Sequence, residues 1–463
     1  MAATRSVYVC QQCGSSSPKW AGQCPSCEAW NTLVETVVVR TPPPAAAAAR
    51  SRAYAAAAAS ITQIGDVSSA EASRLASGIG ELDRVLGGGL VPGSIVLFGG
   101  DPGIGKSTLL LQLASRLAAA GQTVLYITGE ESASQVRGRA ERVGAVVDGV
   151  GLVATNDLAT AIGAIDSVAP ALAVVDSVQT LSSADLGGPA GSVGQVREVA
   201  TRLAEVAKAG VTCVALVGHV TKAGTVAGPR PLEHLVDAVI YLEGERLGTT
   251  RLLRAAKNRF GSTDEVGVLE MRSDGLVEVP DASRFFLESE QPPVAGSAVT
   301  IALEGTRPLA VEIQALVAPS GFGSPRRATT GVDANRVLML IAILARHAGL
   351  NLGSHDVYVN VAGGLRIEEP AADLAVALAL ASSLRERPIV EGTVLAGELS
   401  LSGRLRPATR LERRASEAGR LGFTRLVTGP ARGNPAVGRS GGSIGMIVAT
   451  DIREAVQLAL VGG

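Results

Sequence analysis

The chain has 463 residues, of which 46% are hydrophobic, 18% charged and 3% aromatic. That much apolar material excludes global disorder, and the scarcity of aromatics favours α/β layers over an all-β sandwich. With 42 basic against 43 acidic residues, the net charge of -1 excludes a polycationic nucleic-acid coat but leaves room for a local basic channel.

The length predicts about two to four domains. No apolar run reaches the ~18 residues of a membrane helix, and the longest, Val337 to Ala345, falls far short. The opening MAATRSVYVC has no apolar signal-peptide core, so a cytoplasmic chain with no membrane partner is expected.

Residues 1–35 form a small cysteine module. Cys10-x-x-Cys13 and Cys24-x-x-Cys27 are two knuckles whose four thiolates suit a tetrahedral structural Zn²⁺. Gly14, Gly22 and Pro25 supply the tight turns, and so small a segment has no core without the metal. Free redox thiols are the alternative. Trp20 and Trp30 flank the second knuckle, placed to stack on bases or to pack on the metal loop. Residues 36–60, rich in Ala and Pro, read as a linker.

Residues 61–279 alternate apolar strand-like runs with helical patterns. Candidate strands are Ser94–Phe98, Thr123–Thr128, Leu172–Asp176, Thr212–Val217 and Ala238–Leu242, with helices at Lys106–Ala120 and Val193–Ala209. Fully apolar strands separated by helices predict a parallel sheet covered on both faces. Cys213, inside one such strand, reads as a buried small hydrophobe.

The strongest motif is Gly100-Asp101-Pro102-Gly103-Ile104-Gly105-Lys106-Ser107-Thr108, between the strand SIVLF and the helix STLLLQLASRLAAA. This is the strand–loop–helix setting of a phosphate loop. Its glycines let backbone N–H groups curl round phosphates, and the helix N-terminus adds its dipole. Lys106 is placed for the β/γ-phosphates of ATP and Ser107 for Mg²⁺. Asp176, ending the apolar run ALAVVD, is the second Mg²⁺ candidate. YITGEES ends the next strand with two carboxylates, of which Glu130 is the candidate to orient the attacking water and Glu131 the alternative.

The stretch GHVTKAGTVAGPRPLEHLVD, residues 218–237, leaves a strand end as a Gly/Pro-interrupted loop. In it His219 and Lys222 are candidates to sense the γ-phosphate or to touch a bound strand, with an ordinary surface loop as the alternative. Lys257 and Arg259 in KNRFG are two cations at i, i+2 on an extended segment and could clamp phosphate, or form a solvated edge. Residues 280–463 read as a second αβ domain, with helices Asp333–Ala348 and Ala371–Leu384 and strands Val299–Leu303, Val311–Leu316 and Val357–Val361.

In their order, the four-cysteine finger, GDPGIGKST, YITGEES, VVDSVQT, GHVTKAGTVAGPRPLEHLVD and KNRFG resemble the bacterial RadA (Sms) family of DNA-repair ATPases, across essentially the whole chain. The resemblance implies a RecA-like core with a parallel-rich sheet, a zinc ribbon before it and a Lon-protease-like α+β domain after it. It implies homo-hexameric rings that hydrolyse ATP in response to DNA, bind single-stranded and branched DNA, and act with the RecA recombinase in branch migration and strand extension. By the same resemblance, Lys257 and Arg259 reach the ATP of a neighbouring subunit, Arg259 as an arginine finger, and Lys222 lies on a loop that couples nucleotide state to DNA.

The last domain departs from Lon peptidases. Ala371 stands where their serine would be, and Glu412 where their lysine would be, so peptide hydrolysis has neither nucleophile nor base. A scaffold is expected there, with Arg326 and Arg327, and also Arg404 and Arg406, as candidate DNA-phosphate contacts or simply solvated arginines. The motifs alone leave three rivals: a P-loop kinase, a scaffold that holds ATP as a structural ligand, and a Lon-type peptidase.

Overall fold

The computed structural model describes residues 4–39, 74–219, 232–244, 248–287, 293–321, 324–430 and 444–462. Lys222 and most of the expected linker lie outside the described residues. The chain divides into two compact units. The first comprises Met1–Glu243, Arg251–Thr263 and Met271–Val277, and the second Gly244–Thr250, Asp264–Glu270 and Glu278–Gly463. Two short segments ahead of residue 280 therefore group with the second unit.

The first unit begins with β1 (Thr4–Cys10), β2 (Ser16–Ser17) and β3 (Leu33–Val39), in the order β2-β1-β3. β1 and β3 pair antiparallel from Thr4↔Val39 to Cys10↔Leu33, so β3 extends four residues past the boundary expected at residue 35.

α1 (Gly80–Leu86) precedes the main sheet. Then β4 (Ile95–Gly99), α2 (Lys106–Ala119), β5 (Val124–Thr128), α3 (Ala133–Arg142), β6 (Val150–Ala154), α4 (Leu158–Val168), β7 (Leu172–Asp176), α5 (Val193–Ala209) and β8 (Cys213–Val217) alternate strand with helix. β9 (Ala238–Glu243) and β10 (Thr250–Asn258) follow. These strands lie in the order β10-β9-β4-β8-β7-β5-β6. Neighbours from β9 to β6 are parallel, and only β10 runs against β9.

The sequence dictates this arrangement. β4, β5, β7 and β8 are buried at all five of their positions, as strands covered on both faces must be. Leu97, Ile127, Val175 and Leu216 from four strands meet Val199 and Leu203 of α5 in one cluster. β6, at the edge, has only exposed and half-buried residues. Cys213 is fully buried in β8.

β11 (Val266–Arg272) and β12 (Gly275–Glu278) are followed by α6 (Ala282–Phe285), β13 (Ser297–Glu304), β14 (Arg307–Pro319), β15 (Arg327–Thr330), α7 (Ala334–Ile343) and β16 (His355–Val361). Next come α8 (Asp373–Arg385), β17 (Thr393–Leu395), β18 (Gly397–Leu399), β19 (Leu405–Pro407), α9 (Leu411–Arg420), β20 (Arg425–Thr428), β21 (Gly445–Val448) and α10 (Ile452–Ala459). The sheet of the second unit runs β15-β16-β14-β13-β17-β20-β21 and mixes parallel with antiparallel pairs. α8 is buried from Asp373 through Ser382. The helix expected over Asp333–Ala348 changes to a wider π turn over Leu344–Ala348, which closes on Gly349 at φ 68°.

Candidate functional site

The phosphate loop leaves the buried end of β4. Gly100 has φ 148°, and a Cβ there would lie 2.4 Å from the Leu242 carbonyl oxygen, so only glycine fits. Gly105, the N-cap of α2, is left-handed at φ 116° and offers no side-chain cap. The first N–H groups of this 14-residue helix are therefore presented to an incoming anion. Buried Arg251 donates its Nε to the Ile104 carbonyl at 3.0 Å and fixes the loop from beneath.

Lys106 is 4% exposed. Its Nζ donates to the carbonyls of Gly100 (2.9 Å) and Asp101 (3.0 Å), so the ammonium rests on the loop's own backbone. Burial lowers its pKa, opposed by the charges of Asp176, Asp101 and Glu130. Ser107 and Thr108 start α2 half-buried.

Parallel pairing sets Thr128 of β5 beside Asp176 of β7, and the Gly129 amide donates to the Asp176 carbonyl at 3.0 Å. A Cβ on Gly129 would lie 2.3 Å from Thr180 Oγ1, so a glycine is needed for the two strand ends to close together. Asp176 is buried and accepts a 2.6 Å hydrogen bond from the Tyr126 hydroxyl. Burial next to that carboxylate raises the Tyr126 pKa well above its ordinary value, which keeps the phenol a donor. The Asp176–Ser177 peptide is cis.

Glu130 follows Gly129. Its Oε1 accepts from Ser177 Oγ at 2.6 Å and lies 3.2 Å from His219 Nε2. The bond from His219 and then that from Ser177 pull the carboxyl down to about 2, against the opposing effect of partial burial. Glu131 is instead paired with Arg139. Glu130, Asp176, Lys106 and the loop glycines thus form one site. Ser177 and Tyr126 were legible as motif residues, but not as partners of the carboxylates.

Lys257 and Arg259 both engage the segment that precedes β9. Lys257 Nζ donates to the carbonyls of Glu233 (2.7 Å) and Val236 (2.8 Å), and Arg259 Nη1 lies 2.8 Å from Asp237 Oδ1. A bulge between Ala255 and Lys257 shifts the register of β10 against β9, and Arg259 lies just past the end of β10.

In the cysteine module, Cys10 Sγ lies 3.6 Å from Cys27 Sγ, and Cys13 Sγ lies 3.6 Å from Cys24 Sγ. All four sulfurs fall within 4.8 Å of one another. Tetrahedral Zn–S bonds of ~2.3 Å place sulfurs ~3.8 Å apart, so the set fits zinc. Both knuckles use the same turn: the amides of Gly14 and Glu28 donate to the carbonyls of Cys10 and Cys24, with φ of 72° and 58°. Glu28 therefore adopts the conformation that Gly14 adopts in the first knuckle. Trp20 and Trp30 are exposed, and the Trp30 ring lies against Gly22.

In the second unit Ala371 is buried, and Glu412 is exposed on α9. Beside them Arg414, fully buried, forms a bidentate pair with Glu369 at 2.8 and 2.6 Å. Sequence reading missed this pair, whose members lie two residues from Ala371 and from Glu412, the positions compared with the Lon dyad. The Arg327 guanidinium donates to the carbonyls of Leu352 and His355, while Arg326 is exposed.

Residues 8–35 match the rubredoxin metal binding domain, residues 75–160 the KaiC ATPase, and residues 327–431 subunit ChlI of Mg-chelatase. The DNA repair protein RadA of Bacillus subtilis is 46% identical over 466 residues, covering 100% of both chains. The chain belongs to the RadA family of DNA repair proteins. RadA proteins of Streptococcus pyogenes serotype M6 and Halalkalibacterium halodurans are each 47% identical, over 92% of this chain and 93% of theirs. A solved KaiC-like protein, PH0186 of Pyrococcus horikoshii, matches with a TM-score of 0.38 at 22% identity, over 45% of this chain and 99% of that one. As a RadA-family member with a KaiC-type ATPase unit and a four-cysteine zinc-binding cluster, the chain is an ATP-hydrolysing enzyme of DNA repair. Among the described residues no helix is long and apolar enough to cross a membrane.

Proposed function

We propose that the chain is a DNA-dependent ATPase that works as a homo-hexameric ring and moves along single-stranded DNA, promoting branch migration and strand extension at branched DNA together with RecA. One observation carries this reading. Every strand-end group needed for phosphoryl transfer to water converges on the phosphate loop, yet among the described residues the cations at the loop are Lys106 and Arg251, and Arg251 is engaged on the Ile104 carbonyl beneath it. Phosphoryl transfer needs positive charge at the transferring group. Lys257 and Arg259 supply it to the neighbouring subunit, Arg259 as the finger.

ATP phosphates sit on the loop amides of Gly100–Thr108 and on the α2 N-terminus. Lys106 leaves the carbonyls of Gly100 and Asp101 for the β/γ-phosphates. Ser107 and Asp176 would hold Mg²⁺, which when bound would supply positive charge against the phosphates. Tyr126 orients the Asp176 carboxylate through its hydroxyl. Glu130 orients the attacking water. Cys10, Cys13, Cys24 and Cys27 hold Zn²⁺ in the ribbon. Lys222, Arg326 and Arg327 serve DNA phosphate, so binding is strongly salt-dependent and nearly blind to sequence. The second unit is a scaffold without peptidase chemistry. In the cell the protein works in the cytoplasm.

Steady-state ATPase measured with and without a dT oligonucleotide tests the reading. Stimulation is expected, and its absence would remove the motor in favour of a nucleotide-holding scaffold or a kinase.

A further inference from the structure

Glu130 is caught at rest. Both of its donors, Ser177 Oγ at 2.6 Å and His219 Nε2 at 3.2 Å, use the same oxygen, Oε1. They come from different strands: Ser177 follows β7 and His219 follows β8. Lys106 is likewise spent on its own loop. Glu130 and Lys106 are thus each engaged by groups of their own chain.

The two restraints differ in firmness. Ser177 is fully buried beside Asp176. His219 is held far more loosely. Its Nδ1 is buried and has no hydrogen-bond partner among the described residues. Nearby Gln179 makes only a long 3.4 Å contact to the His219 carbonyl, and its own Oε1 is also buried and unpartnered. An unpaired buried polar atom costs free energy, so the ring has little to lose by leaving. His219 is also the last described residue before Lys222, and it shares the 218–237 stretch with the segment that anchors Lys257 and Arg259.

We propose that His219 and Ser177 are positioning residues that restrain Glu130 in a resting pose, and that displacement of the His219 side chain releases Glu130 to orient water. In a DNA-stimulated enzyme this release is a means by which DNA acts on the hydrolytic centre. The inference rests on the reading of Glu130 given above.

The test compares the full-length wild type with His219→Ala, His219→Gln and Ser177→Ala, measuring kcat and KM for ATP with and without a dT oligonucleotide. His219→Ala is expected to raise the DNA-free kcat about 5-fold or more, leave KM for ATP unchanged and shrink the stimulation ratio. His219→Gln keeps an amide donor and should stay near the wild-type ratio. Ser177→Ala should move in the same direction as His219→Ala. A DNA-free kcat that is unchanged or lower in His219→Ala, with His219→Gln behaving like it, overturns the restraint. The motor reading has its own control. A wild type indifferent to the oligonucleotide removes that reading, whereas a faster His219→Ala still upholds the restraint.

Discussion

Arg259→Ala separates folding from catalysis. Its guanidinium lies 2.8 Å from Asp237, but the side chain is 53% exposed, so solvent screens the pair from one side. Asp237 also keeps its 3.1 Å hydrogen bond from the Ile95 amide. The ion pair is then worth about 1 kcal/mol, and its loss should lower the melting temperature by about 2–4 °C. If Arg259 instead completes the neighbour's site, its loss costs about 10³–10⁵ in kcat. The assay mixes inactive Arg259→Ala with inactive Lys106→Ala and follows ATPase after subunit exchange. Interfaces that take their phosphate loop from the first variant and their finger from the second are complete. With random mixing about a quarter of the interfaces qualify, so activity should recover toward about a quarter of wild type. No recovery above the parent variants would refute action in trans.

Three further outcomes are expected. Lys106→Ala should abolish hydrolysis and weaken binding of a fluorescent ATP analogue, because it removes the ammonium seated on the loop carbonyls of Gly100 and Asp101. Cys13→Ser should lower zinc content below one equivalent per chain, and wild-type zinc should be lost as pH falls, since protons compete for the thiolates. Glu369→Gln should destabilise the second unit by about 3–5 kcal/mol in chemical denaturation, because it leaves the Arg414 charge buried and unmatched. Replacing both partners with Met should recover much of that loss.

How much was legible follows from the range of the interactions. The phosphate loop, the five core strands and the cysteine knuckles are local patterns, and the expected Val193–Ala209 helix agrees with α5 to the residue. Partnerships across strands leave no such trace. Ser177 and Glu130 are 47 residues apart, and His219 and Glu130 are 89 apart, so only the parallel stacking of β5, β7 and β8 brings them together. The left-handed Glu28 shows the same limit, since the closing knuckle forces a conformation that its residue type does not favour. Arg414 reads as one more charge on an amphipathic helix until its burial against Glu369 is seen.

The strand order has a mechanical meaning. β8 is wedged between β4, which delivers the phosphate loop, and β7, which delivers Asp176. A push or pull on the tip of β8 is therefore transmitted to the phosphate cradle on one side and the acidic rim on the other at once. On the proposed reading, load from DNA at that tip would be felt by both halves of the cleavage chemistry in the same stroke.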